Sequence, residues 1–216
     1  MPGYQSIMPP SVAGDDIENI VDCLAGECPD GAILVGWSLG GMIAIELAAR
    51  MTNKVGALIL LSSTPCFVQK PDWPHGTDEK QLLAVLQKLK KDKHGALNNF
   101  IAEVAYGDVS PRTTIRILRE IVAKNMASDE VLTGGLEILR HQDLRGSLLN
   151  VRCPTGIISG MNDHLVAKTT GKAMQSLRPE MHLIEIDNAG HAPFISQQKK
   201  TAWAINRLSE KFSCTG

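Results

Sequence analysis

The first clear signal along the chain is Ala32-Ile33-Leu34-Val35, a short apolar run bounded by glycines. Such a run predicts a parallel strand buried on both faces rather than one with a solvated side. Gly40 to Met51 then carries Ala, Ile and Leu at helical spacing, and Ala57-Leu58-Ile59-Leu60-Leu61 predicts a second buried strand. Strand, helix and strand in so short a stretch form a βαβ unit, which implies a parallel sheet. From Cys66 the pattern changes, and 79–91, 94–106, 111–125 and 129–140 read as helices, with Pro111 suited to a first helical position. Strand patterning returns at Gly156-Ile157-Ile158-Ser159, followed by a helix near Lys168–Leu177, the strand Leu183-Ile184-Glu185-Ile186 and a last helix from Gln197 to Lys211. The expected architecture is an α/β core, 1–65 and 151–216, with a mainly parallel sheet and helices on both faces. An all-helical insert, 66–150, reads as a lid.

Composition narrows the class without naming it. The 216 residues are 44% hydrophobic and 21% charged, enough for one core with an inserted piece. A net charge of −1 excludes a generally basic nucleic-acid binder, though not a local basic face. No apolar run approaches the roughly 18 residues that a membrane-spanning helix needs, so no membrane association is expected. The start, Met1-Pro2-Gly3-Tyr4-Gln5, has neither a basic nor an apolar leader segment. Five scattered cysteines (Cys23, Cys28, Cys66, Cys153 and Cys214) show no metal-binding spacing. Free thiols in a reducing compartment fit best, and the expected location is cytoplasmic. No cofactor and no metal are expected.

The chemistry concentrates in Gly36-Trp37-Ser38-Leu39-Gly40-Gly41, a G-x-S-x-G run set between a predicted strand and a predicted helix. Ser38 would turn in a strained bend and point out above the sheet as nucleophile. The Leu39 N–H, at the helix start, would bind an oxyanion. A serine hydroxyl needs a base, and the base needs an orienting acid. Of six histidines, His75, His94 and His141 fall in the helical insert, His182 opens a strand, and His164 directly follows a candidate acid. His191 stands in Asn188-Ala189-Gly190-His191-Ala192-Pro193-Phe194, a loop after the last strand, where ligands gather in open parallel sheets. It also completes the chain order Ser, Asp, His. Asp163, in the loop after the preceding strand, is the expected acid, with Asp187 as its rival.

These segments resemble those of the pimeloyl-[acyl-carrier protein] methyl ester esterases of biotin synthesis, an α/β-hydrolase family. The likeness lies in the Gly-Trp-Ser-Leu-Gly-Gly turn and in Ser62-Ser63-Thr64-Pro65-Cys66-Phe67 with Asp72-Trp73-Pro74. It extends to Gly134-Gly135-Leu136-Glu137-Ile138-Leu139 with Asp143-Leu144-Arg145, and to Gly190-His191-Ala192-Pro193-Phe194-Ile195-Ser196. The resemblance implies hydrolysis of a pimeloyl methyl ester carried on acyl-carrier protein, with release of methanol. It implies that Trp37, Leu39 and Phe100 line the substrate beside Ser38 and His191. It also implies that Arg112 and Arg116 meet the carrier protein, whereas two further lid arginines of the family are absent near Gly95 and Asn99.

Charge bears on that partner. Residues 80–124 hold nine basic and four acidic side chains, a surplus of five positive charges in a chain of net −1. Arg112, Arg116 and Arg119 fall on one helical face, with Leu118, Ile121 and Val122 marking the apolar side. Such a stripe suits an acidic protein, and it also suits an ordinary solvated helix face. The likeness at Pro2-Gly3-Tyr4 implies that upstream strands of the family sheet are absent, together with a His-Gly loop that offers a second oxyanion donor. Ala32–Val35 would then lie at an open edge. Two other readings stay open: a broad short-chain carboxylesterase with the same residues, and an inactive remnant.

Overall fold

The computed structural model describes residues 16–213. Pro2-Gly3-Tyr4 and Cys214 lie outside them. In chain order the elements are α1 (Ile17–Glu27), β1 (Ala32–Trp37), α2 (Leu39–Arg50), β2 (Val55–Leu61), α3 (Glu79–Lys91), α4 (Lys93–Ala105) and α5 (Pro111–Lys124). They continue as α6 (Asp129–His141), α7 (Arg145–Asn150), β3 (Thr155–Gly160), α8 (Thr170–Leu177), β4 (His182–Ile186), α9 (Pro193–Ser196) and α10 (Gln198–Ser213). Helices α1, α7 and α9 are additional to the expected set. The first, 11 residues long, opens on a polar cap, in which Asp16 Oδ1 accepts the Glu18 N–H at 2.9 Å.

The four strands form one parallel sheet in the order β1-β2-β3-β4. Alternation along each strand sends side chains to opposite faces, and both faces are covered. Leu58, Leu60 and Ile157 join α2 and α8 through Met42, Ile45 and Met174. Ala57, Ile59 and Ile158 turn the other way, onto Ala204, Leu208 and Phe212 of α10. Leu58, Ile59, Leu60, Ile157 and Ile158 are fully buried at the centre, and truncating one of them to Ala should cost about 2–5 kcal/mol. Gly156 interrupts this apolar run for a steric reason, because a Cβ there would approach Leu208 Cδ1 to 2.6 Å. Among the described residues β1 is an edge strand, and Val35 is exposed.

Helices α3 to α7 run between β2 and β3, and two distant stretches fasten them to the core. Leu144 N–H donates to Pro65 O at 2.7 Å. Arg145 grips Asp143 through Nη2 at 2.7 Å and Asp72 through Nη1 at 2.9 Å, with its guanidinium 5.6 Å from the centre of the Trp73 ring. Lys70 adds a contact to Asp143 at 3.2 Å. The hydrogen bonds from Arg145 hold the Asp143 carboxyl at about 2, well below its ordinary range. Burial in the same clasp pushes the Cys66 thiol up to about 11, the opposite of an activated thiol.

Candidate active site

Ser38 stands between β1 and α2 with φ 54° and ψ −123°, a sparsely populated conformation that costs a non-glycine residue about 1–3 kcal/mol. The surroundings over-determine it. A Cβ on Gly36 would meet Gly40 O and Gly41 Cα at 2.5 Å, and one on Gly41 would meet Ser63 Oγ at 2.2 Å. Gly40 has open space beside it, so the close approach falls to Gly36 and Gly41 rather than to the motif's final glycine. The Ser63 hydroxyl donates to Ser38 O at 2.7 Å and pins the bend from behind. Sequence reasoning missed Ser63, and Gly41 was the only hint that something pressed on the turn.

The loops after β3 and β4 bring two more side chains to the same edge of the sheet. His191 Nε2 lies 2.9 Å from Ser38 Oγ, and His191 Nδ1 lies 2.8 Å from Asp163 Oδ2. A carboxylate oxygen can only accept, so the proton sits on Nδ1 and Nε2 faces the hydroxyl as an acceptor. The other Asp163 oxygen, Oδ1, accepts the backbone N–H groups of Leu165 and Val166 at 2.9 and 3.0 Å. The imidazole is 1% exposed, and Trp37 Nε1–H donates to His191 O at 2.8 Å. The Trp37 ring lies 5.5 Å from that imidazole and 5.0 Å from Phe194. Hydroxyl, imidazole and carboxylate in this sequence can pass a proton from oxygen to nitrogen while stabilising the resulting imidazolium.

The remaining candidates divide. Asp187 is exposed beyond the end of β4, and His164 is exposed with its ring 4.3 Å from that of Tyr106. The Leu39 amide opens α2, where helix geometry leaves the first N–H groups without an internal acceptor. Phe100 is 41% exposed on α4. Its neighbour Ile101 is buried instead, in an apolar cluster with Val104, Leu118 and Ala192 against which Trp37 and Phe194 pack. Arg112, Arg116 and Arg119 are exposed on α5. Arg116 Nη1 pairs with Glu120 at 2.8 Å, and Arg119 Nε donates to Asn98 Oδ1 at 3.0 Å. Ile121, expected on the apolar side, is 48% exposed. The buried face of α5 is carried by Thr114 and Leu118, where the helix meets α4 and α9. Among the described residues no cluster of three or more His, Cys, Asp or Glu could hold a metal ion, and no helix is long and apolar enough to cross a membrane.

Comparison with known proteins adds independent information. Residues 11–198 match the model of the alpha/beta hydrolase fold family. A pimeloyl-[acyl-carrier protein] methyl ester esterase from Aromatoleum aromaticum is 34% identical over 198 residues, covering 89% of this chain and 79% of the relative. One from Xylella fastidiosa is 34% identical over 209 residues, covering 95% and 80%. Among solved structures, an esterase from Exiguobacterium antarcticum superposes with a TM-score of 0.82 at 22% identity, covering 93% of this chain and 76% of that one. A bromoperoxidase from Bacillus anthracis does so with 0.83 at 18% identity, covering 91% and 75%. At such identities the solved structures speak for the fold alone.

Proposed function

The chain belongs to the α/β-hydrolase fold family and, within it, to the pimeloyl-[acyl-carrier protein] methyl ester esterases, and from that premise we propose that Ser38, His191 and Asp163 hydrolyse a methyl ester at the end of a carrier-bound pimeloyl chain. The enzyme is a carboxylic ester hydrolase. The observation that carries the reading of the site is the unbroken line from Asp163 Oδ2 through the His191 ring to Ser38 Oγ, with both contacts under 3 Å.

In this reading Ser38 Oγ attacks the ester carbonyl while its proton passes to His191 Nε2. The charge that develops on the carbonyl oxygen meets the Leu39 N–H at the positive end of α2. The intermediate collapses, its C–O bond to the methoxy group breaks, and His191 returns the proton so that methanol leaves. Water then attacks the acyl-enzyme, giving its proton to Nε2, and collapse releases the carboxylate and restores the serine hydroxyl. Asp163 holds the imidazole and stabilises its cation without taking a proton.

Two features support the carrier-bound substrate. The partly buried Ile115 and Val122 of α5, packed with Trp37 and Phe194 around buried Ile101, Val104 and Leu118, offer an alkyl chain apolar contact near the residue before Ser38. The exposed arginines of α5 suit an acidic protein, and segment 66–150 would act as the lid that carries both. A second reading, a broad esterase acting on free short esters, is favoured by Arg116 and Arg119 already having partners within the chain. The deciding experiment measures kcat/KM for carrier-bound and free methyl pimelate, with Ser38→Ala as the blank. Carrier preference supports the first reading, and equal use of both esters supports the second. A parent that neither turns over nor reacts with a fluorophosphonate at Ser38 would sink both.

A further inference from the structure

The turn between α4 and α5 contains a buried carboxylate that the reaction does not use. Asp108 is 8% exposed and lies outside both helices. Oδ1 accepts the backbone N–H of Gly190 at 2.7 Å, and Oδ2 accepts the hydroxyl of Thr114, itself 1% exposed, at 2.7 Å. Gly190 is the residue immediately before His191. The same turn reaches the acid loop as well. Gly107 O accepts Asn162 Nδ2–H at 2.9 Å, and Asn162 N–H donates to Ala189 O at 2.9 Å. The fit leaves no room for side chains at the crossing. A Cβ on Gly107 (φ +84°) would approach Asn162 O to 2.3 Å, and one on Gly190 would approach Tyr106 O to 2.4 Å.

We propose that Asp108 is a positioning residue for the base: bonded to Gly190 on one oxygen and Thr114 on the other, it ties the loop that presents His191 to helix α5. The inference rests on His191 being the base and names what aims it. The imidazole must sit between two partners at 2.8 and 2.9 Å. Trp37 adds a bond to the His191 carbonyl and packs on its ring, and neither contact fixes the peptide that precedes it. A buried N–H on the preceding residue, fixed by a carboxylate, removes the peptide rotation that would swing the ring off that line. Thr114 anchors the carboxylate in turn, so it cannot follow the loop when the loop moves.

The test compares Asp108→Asn, Asp108→Ala and Thr114→Val with the parent on a small nitrophenyl ester. Loss of hydrolysis in Ser38→Ala is a separate control, which fails by itself if the reading of the triad is wrong. Asn keeps an acceptor for Gly190 and can donate to the Thr114 oxygen, so kcat should stay within about threefold of the parent. Ala should lower kcat by about a hundredfold with KM within about twofold, because a shift near 1 Å at a reacting group costs that much. Thr114→Val, which conserves volume, should lower kcat by about tenfold and remains informative if the Ala variant fails to fold. The downfield Nδ1–H resonance of His191 reads the same geometry without turnover. It should persist in Asp108→Asn and be lost to exchange in Asp108→Ala. Variants that lose only thermal stability, with kcat and this resonance unchanged, would overturn the proposal. So would an Asn variant as impaired as Ala.

Discussion

Replacing Asp163 by Asn changes one atom, and the geometry around it dictates which way the new amide must face. Oδ1 receives two backbone N–H groups, from Leu165 and Val166, while Oδ2 receives only the imidazole. An amide placed with its NH2 toward Leu165 and Val166 would leave two donors unpaired, at about 1–3 kcal/mol each. Its oxygen therefore stays with the backbone, and its NH2 faces His191 Nδ1. Nδ1 must then accept, so the imidazole proton moves to Nε2 and points at Ser38 Oγ, where an acceptor is needed. The base is disabled by its tautomer while every heavy atom stays in place. The expected loss in kcat is about ten-thousandfold, the size found for the same change in the chymotrypsin-type triad. That is less than removal of Ser38 or His191, for which about a millionfold is the precedent. Initial rates on a nitrophenyl ester, with Asp187→Asn alongside as a near-silent control, measure it. An Asp163→Asn enzyme retaining more than about a tenth of parent kcat would refute the tautomer argument, since general-base catalysis alone supplies more than that.

Ser38→Ala and His191→Ala should each abolish hydrolysis without unfolding the chain, and the double variant should be no worse than either, because the residues act as one unit. Progressive loss in initial-rate assays of the singles and the double would show that they act separately. Reversing charge at Arg112 and Arg116 together should lower kcat/KM for the carrier-bound ester while sparing a small free one, with the difference shrinking at high salt. An equal loss on both substrates would mean that the arginines support the fold of α5. Asp143, held at about 2 against an ordinary value of 3.8, has its folded value below its unfolded one. Its stabilisation is thus complete above the unfolded value and lost as pH falls through the folded one. After solvent screening it is worth on the order of 1–2 kcal/mol. Thermal unfolding of Asp143→Asn should therefore fall below the parent near neutrality and converge with it towards pH 2, and parallel curves across the range would contradict this.

The sequence was most legible where one local rule acts alone. Helix α3 begins and ends where its periodicity says, and α5 starts at Pro111, because cap, proline and amphipathic spacing are all short-range signals. The strands extend a residue or two past their apolar cores, as at Trp37 and Gly160, since pairing with a neighbour does not require an apolar side chain. Helix α7 was hidden because Arg145-Gly146-Ser147 carries no apolar stripe, and what holds it is Leu148 in the core and the clasp on Asp72. In the candidate site, Ser38, Asp163 and His191 could be picked out by chain order and loop position. Ser63 and Asp108 could not. Their importance lies in single contacts across 25 and 82 residues, to a backbone carbonyl and a backbone N–H, and no side-chain pattern announces a backbone partner. Ile121 misled for a related reason: the buried side of α5 is set by where α4 and α9 lie, not by the helix's own apolar arc.

The order of the strands has a kinetic consequence. Ser38 and His191 are 153 residues apart in the chain and follow the outer strands β1 and β4, with β2 and β3 between those strands in the sheet. Closing so long a loop is paid in chain entropy before any contact rewards it, so it belongs late in folding, whereas α3, α4 and α5 pack in consecutive pairs. On dilution from denaturant, ellipticity from the helices should therefore recover ahead of reactivity at Ser38. The delay between the two signals would time the docking of β3 and β4 onto the βαβ unit, making a covalent serine probe a clock for the assembly of the sheet.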